Sequence, residues 1–327
     1  MAYDVITVGS ATEDVFAKSD ANLITIRSPQ GNSTLLAYPL GSKIRMQELD
    51  FQIGGGGTNT AVSFSRFGFR TAYLGCLGND GRADDVLSCL KKEKVHFIGY
   101  QDNVRTNFSV ILDSMQEDRT ILTYRDASNK LDFKKINTAK IKAKLLFSSS
   151  LEGQGFITIV AIAKLCKERG IMVAFNPGTY NAKQGMAGIL PIAKNLDIII
   201  LNKDEARTIT GKETIIEQCK AFRALSIPTI VITDGKRGSN VYHGKTLYST
   251  IPAKIKVHET TGAGDAFASA FCTGMLMKKD PVFALTLGMI QAESVIQHKG
   301  AKNKLLTRRE ALKRIAHDRR KITKRTL

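Results

Sequence analysis

Tryptophan is missing from this sequence, aromatic residues make up only 7% of it, and no aromatic stripe accompanies its basic segments. Stacking on nucleobases therefore has little to work with, and nucleic acid is not expected as a partner. The five cysteines, Cys76, Cys89, Cys166, Cys219 and Cys272, are scattered and odd in number, with no C-x-x-C pair. That argues against a disulfide framework or a zinc ribbon and suits a reducing compartment, so the expected location is the cytoplasm. The five histidines do not cluster either. Apolar runs such as "IIIL" at 198–201 are far too short to cross a bilayer, and no membrane association is expected. The opening "MAYDVITVGSATEDVF" carries Asp4, Glu13 and Asp14 where a secretory leader needs an apolar run.

Two common phosphate-binding patterns are absent as well. No G-x-x-x-x-G-K-[ST] occurs, so a P-loop is excluded. "GGGGTNTA" at 54–61 opens a helical pattern, but Asn59 stands where a dinucleotide fingerprint needs its last glycine. A nicotinamide enzyme is thereby disfavoured.

What is present is a chain of 327 residues, 43% hydrophobic, enough for one large α/β domain with a small appendage. Short apolar runs ending in Gly, Asn or Ser ("YDVITVG", "KLLFSSS", "IMVAFNPG", "LDIIILN", "TIVITDG") are separated by helical patterns. This predicts a mostly parallel sheet covered on both faces, an α/β/α sandwich with ligands along the edge where the strands end. Two other regions alternate apolar and polar residues. "NLITIRS", "STLLAYPLG" and "KIRMQELDFQIGG" form one, with a turn at Pro29–Asn32, and "TNFSVILDS" and "RTILTYRDA", separated by "MQED", form the other. They predict antiparallel strands that pair into one small β lid, about 15–53 and 98–126.

Net charge is +18, and residues 301–327 carry +9 of it. This end reads as a solvated basic helix and tail over 311–327, outside the main body of 1–310, and separable from it.

"ETTGAGDAFASAF" at 259–271 places Gly262, Ala263 and Gly264 ahead of an apolar helical pattern, with Asp265 in its first turn. Helix N-termini carry free N–H groups and partial positive charge, and residues without bulk let an anion approach. Asp265 can be an ordinary helix-start charge. The other reading is a general base that takes the proton of an alcohol attacking a phosphate.

"TTGAGDAF" resembles the C-terminal signature of the PfkB, or ribokinase-like, family of sugar and nucleoside kinases, and "GGGGTNTAVSFSRFG" resembles its N-terminal one. "VGSATEDVF", "NPG", "NKDE" and "TDGKRG" follow in the family's order, so the likeness spans about 1–310. It implies an ATP-dependent kinase acting on an alcohol group of a sugar, with magnesium, as a homodimer joined through the lid. A nucleoside or a sugar phosphate is the alternative acceptor, and a nucleic-acid- or partner-binding protein on a kinase fold is the non-enzymatic one. By resemblance, Asp14, Gly55, Asn59, Glu152 and Arg125 face the acceptor together with Asp265. Asn176, Asn202, Thr233, Gly235 and Gly238 face the nucleotide, and Asn202 with Glu205 holds magnesium through oxygen. Asn202 and Glu205 also read as a helix cap, Arg119 and Arg125 as exposed strand charges, and the glycines as turn formers. Relatives commonly carry Asp at the place of Glu259, where it contributes to a monovalent-cation site, and often Lys at the place of Gly56. Potassium dependence and ribose as acceptor are therefore both left open.

Overall fold

The computed structural model describes residues 2–19, 22–28, 31–113 and 119–327. Its largest element is a ten-stranded sheet. Seven strands run parallel: His96–Phe97, Thr71–Leu74, Val5–Val8, Leu145–Ser149, Met172–Asn176, Ile198–Asn202 and Thr229–Thr233, in that spatial order. Ser239–His243, Thr246–Thr250 and Thr323–Thr326 continue it antiparallel at one edge.

The strands' alternation sorts their side chains into two cores, one on each face. Ile199 and Leu201 pack with Ile159, Ile162, Ala206 and Phe222 of the helices on one side. Ile198 and Ile200 pack with Phe64, Phe267, Phe271 and Leu285 of the helices on the other. The second layer is made of the helices Gly56–Arg66, Ala263–Lys278 and Pro281–Val295. The 263–278 helix has little amphipathic asymmetry because it is covered on nearly every side: residues 266–275 are all buried. Asp280 starts the next helix by accepting from the Val282 N–H at 2.9 Å, with Pro281 in its first turn, where a missing N–H costs nothing.

A second sheet of four strands stands off this body, in the order Arg119–Tyr124, Asn107–Asp113, Thr12–Ser19, Met46–Gly54. Thr12–Ser19 and Asn107–Asp113 pair in parallel, and this pairing joins two regions distant in sequence. Asn22–Ser28 and Gly31–Ala37 form a separate two-stranded hairpin rather than part of that sheet. The segment 115–118 and positions 29 and 30 of the expected turn lie outside the described residues.

The C-terminal end differs from the expectation of a solvated tail. Leu305, Leu306 and Ala311 are buried against the 263–278 and 281–295 helices. Thr323–Thr326 closes the edge of the main sheet. Arg320 is enclosed between Glu293 (3.0 Å) and Asp318 (2.7 Å). Nine of the eleven basic side chains of this end are nevertheless exposed, and only Lys302 and Arg320 are partly enclosed. The end as a whole is not a separable appendage.

Candidate active site

The Gly56–Arg66 and Ala263–Lys278 helices, whose starting turns are about 200 residues apart in the chain, meet at their N-termini. The Asn59 Nδ2 donates to Asp265 Oδ2 at 2.8 Å. Asp265 is half-buried, while the neighbouring Gly264 is exposed, with open space where a side chain would project. Burial raises the proton affinity of Asp265, and the Asn59 bond and the positive charge of Lys302 oppose that rise. A carboxylate at a helix mouth beside open space is the arrangement a general base needs.

Glycine is required at two of the surrounding positions. Gly262 caps the helix with φ 75°, and a Cβ there would stand 2.4 Å from the Ala301 Cβ. Gly55 caps the other helix with φ 92°, and a Cβ there would stand 2.5 Å from the Ser10 carbonyl oxygen. A side chain at Gly56 would crowd Ser149 and approach Asp265 Oδ1 to 3.5 Å. The two turns thus face each other at close range because neither carries bulk.

The anion-binding donors differ in part from the sequence reading. The Ala263 N–H is turned back onto the Thr260 carbonyl at 3.2 Å, so it does not point at the mouth. The N–H groups of Gly262, Gly264 and Asp265 have no backbone partner among the described residues. The hydroxyl of Thr261, one residue before the cap, is buried without a partner among the described residues. Such an orphaned donor beside free N–H groups fits an anionic group held at this helix start.

Asp14 lies on Thr12–Ser19 with its carboxylate over Gly54, where a Cβ would stand 1.8 Å from Oδ2. Burial is the largest influence on it and lifts its proton affinity to about 6, against the opposing effects of Ser109 and Lys302. Asp14 and Asp265 are close enough to influence each other's charge. Sequence reasoning named both of them.

It missed Lys302, counted in the basic tail. Its Nζ donates to the Asn59 Oδ1 at 2.6 Å, to the Thr58 Oγ1 at 3.2 Å and to the Ile53 carbonyl. No local pattern around "KGAKNKLL" signals this. The sole hint was a lysine a few residues after an apolar helix.

Arg125 and Glu152 form a pair of their own at 3.3 Å, and the Arg125 guanidinium lies 4.3 Å over the Tyr180 ring. Glu152 precedes the Gly153–Glu168 helix without capping it through its side chain. The side chain of Arg119 lies outside the described residues.

The expected nucleotide-facing residues share the edge where the parallel strands end. Asn202 is in register with Thr233, and Asn176 ends its strand and donates to the Ile200 carbonyl at 2.8 Å. Gly235 opens a short 3-10 turn, and Gly238, at φ 104°, passes so close to the Thr250 carbonyl that a Cβ would be 1.9 Å from it. Asn202 and Glu205 form a capping box: Asn202 Oδ1 accepts from the Glu205 N–H at 2.8 Å, and Glu205 Oε2 accepts from the Asn202 N–H at 3.0 Å. That leaves the Glu205 Oε1 outside the box. Among the described residues no group of three or more His, Cys, Asp or Glu is placed to hold a metal. This donor set fits a magnesium ion that arrives with nucleotide phosphates and meets the protein at one carboxylate oxygen, and does not fit an all-protein cage. Glu259 Oε2 accepts from the Gly300 N–H at 2.8 Å, tying the turn before Gly262 to the loop that carries Lys302.

Residues 23–308 match the model of the pfkB family carbohydrate kinases. The chain belongs to that family. An ATP-dependent 6-phosphofructokinase of Thermoanaerobacterium thermosaccharolyticum is 24% identical, the match covering 91% of this chain and 89% of that protein. A ribokinase of Haemophilus influenzae is 26% identical over 85% of this chain and 92% of its own length. In fold, the chain superposes on the structure of Arabidopsis thaliana ribokinase complexed with ribose and ATP with a TM-score of 0.78, covering 96% of this chain and 98% of that one at 22% identity. No helix among the described residues is long and apolar enough to cross a membrane.

Proposed function

We propose that this PfkB-family carbohydrate kinase transfers the γ-phosphoryl group of ATP to a hydroxyl of an uncharged sugar, with Asp265 as the general base. The observation that carries the reading is the Asn59–Asp265 bond at an open helix mouth, which brings the two signature segments onto one carboxylate. Asp14, Asn59 and Asp265 line the acceptor side. Their hydrogen-bonding capacity suits hydroxyl groups, and Asp14 accepts from one of them. Asp265 takes the proton of the attacking hydroxyl, and the N–H groups of Gly262 and Gly264 offset charge on the phosphoryl group in transit. Asn176, Thr233, Gly235 and Gly238 supply the nucleotide side along the strand ends. Asn202 and Glu205 would hold a magnesium ion, which would neutralise phosphate charge.

The surroundings of Arg125 favour a sugar over a sugar phosphate as acceptor. Its charge is already balanced by Glu152 and its face covered by Tyr180, so it does not present a free cation to a second phosphate. We further propose that the small sheet is a lid over the acceptor and that its outer face pairs two copies of the chain. Leu122, Val110, Val15 and Phe51 form one cross-strand row on that face, and Leu122 and Phe51 are more than half exposed.

Screening pentoses, hexoses, sugar acids, sugar phosphates and nucleosides for ADP release with ATP and magnesium, with and without potassium, tests the acceptor. Turnover on a neutral pentose or hexose is expected. Turnover confined to sugar phosphates or nucleosides contradicts the reading.

A further inference from the structure

The loop after the Pro281–Val295 helix is bound into the transfer site at several points. Ala301 fills the space that a side chain at Gly262 would need, and the Gly300 N–H is held by Glu259. The Lys302 carbonyl accepts from Arg66 Nη1 at 2.8 Å, while the same guanidinium grips Glu93 with two bonds of 2.9 and 2.6 Å. The Lys302 backbone is thereby fixed, and its side chain reaches inward. Its ammonium meets three oxygens, from Ile53, Thr58 and Asn59.

The bond to Asn59 has a consequence for Asp265. A carboxamide has one accepting end and one donating end. An ammonium can only donate and a carboxylate can only accept, so Lys302 and Asp265 together allow Asn59 a single orientation: oxygen toward Lys302, nitrogen toward Asp265. Remove the ammonium and the Asn59 oxygen loses its donor, so that only the bond to Asp265 still holds the amide.

We propose that Lys302 is a positioning residue of the transfer site, whose ammonium fixes the Asn59 amide and supplies the positive charge that keeps the Asp265 carboxylate ready to accept a proton. This rests on Asp265 as the base. The charged and titratable groups around the ammonium are Asp14 of the small sheet, Asp265 of the 263–278 helix, and Cys89 and Glu93 at the end of the Gly81–Lys92 helix, Glu93 being already paired with Arg66. Burial is the largest influence on Lys302 and lowers its proton affinity to about 8, with these groups opposing. The ammonium is therefore lost as pH rises through about 8, and with it both effects on Asp265.

The experiment is the pH dependence of kcat for the full chain, with the best neutral sugar, ATP and magnesium, in the parent and in Lys302→Met, Lys302→Arg and Asp265→Asn. The parent should show an acidic limb from Asp265 and an alkaline limb near pH 8 from Lys302. Lys302→Met should lower kcat by roughly a hundredfold, move the acidic limb to higher pH and abolish the alkaline one, with its affinity for ATP kept. Lys302→Arg, whose cation does not titrate in this range, should recover most of the rate and still lack the alkaline limb. A parent profile flat through pH 8, or a Lys302→Met protein that binds ATP and keeps both limbs, overturns the proposal. Because the parent profile needs no variant, a misfolded substitution does not rescue it. If Asp265→Asn is inactive while Lys302→Met is unaltered, only the role of Lys302 falls. If Asp265→Asn turns over normally, the base assignment itself falls.

Discussion

Single residues at the mouth of the site carry opposing demands, and Asp14 shows this most clearly. Its carboxyl is lifted from an ordinary 3.8 to about 6 by burial. Between those values the folded protein binds a proton that the unfolded chain does not. That stabilising contribution is present at acid pH and lost as pH rises through about 6. At neutral pH the charged form is kept at a cost to stability. Asp14→Asn should therefore melt higher than the parent at pH 7, the gap closing as pH falls through about 6, while sugar affinity falls. Calorimetry across pH checks both parts, and an unchanged melting temperature at pH 7 contradicts the burial cost. Gly262 is constrained by its backbone instead. Gly262→Ala imposes about 1–2 kcal/mol of left-handed strain and a collision with Ala301, and should lower both stability and turnover. Denaturant unfolding reads the first and ADP release the second.

Residues of this kind differ in how legible they are. Asp265, Asn59 and Gly262 sit in linear patterns that advertise a helix start. Asn202 and Glu205 carry a spacing that serves a magnesium site and a capping box equally, and only coordinates show the box. Lys302 bonds to a residue 243 positions away, and nothing local encodes that.

At the scale of elements, the parallel strands were legible because their apolar runs are buried on both faces. Thr12–Ser19 was harder to see. Its charges at Glu13, Asp14 and Lys18 break the apolar alternation, for they meet Arg82, the site and Glu48 respectively. Thr323–Thr326, with Lys324 and Arg325, reads as a tail for the same reason that it makes a safe edge: its charges discourage further strand pairing. The segment before it is anchored by Arg320, whose partner Glu293 also accepts from the Ala253 N–H at 2.9 Å. Arg320→Met leaves two enclosed carboxylates without their cation and should cost about 3–5 kcal/mol. Chemical unfolding measures it, and a loss below about 1 kcal/mol would show that the triad is solvated.

At the scale of the whole molecule, the two faces of the small sheet carry different residues. The side chains of Asp14 and Ser109 point one way, and those of Val15, Phe51 and Leu122 the other, as strand alternation requires. Sedimentation should show a dimer for the parent and a folded monomer for Phe51→Glu with Leu122→Glu. A parent that stays monomeric at high concentration removes the pairing. The order of the motifs made the fold and the chemistry readable. The acceptor was not, because Asp14 and Asn59, the groups proposed to meet it, are brought together by pairings across long stretches of chain.

The most direct measurement is steady-state phosphoryl transfer by Asp265→Asn alongside its calorimetric affinity for ATP with magnesium. With Asp265 as the base, kcat falls by about a hundredfold to ten-thousandfold while ATP affinity stays near that of the parent. Turnover at the parental rate contradicts it.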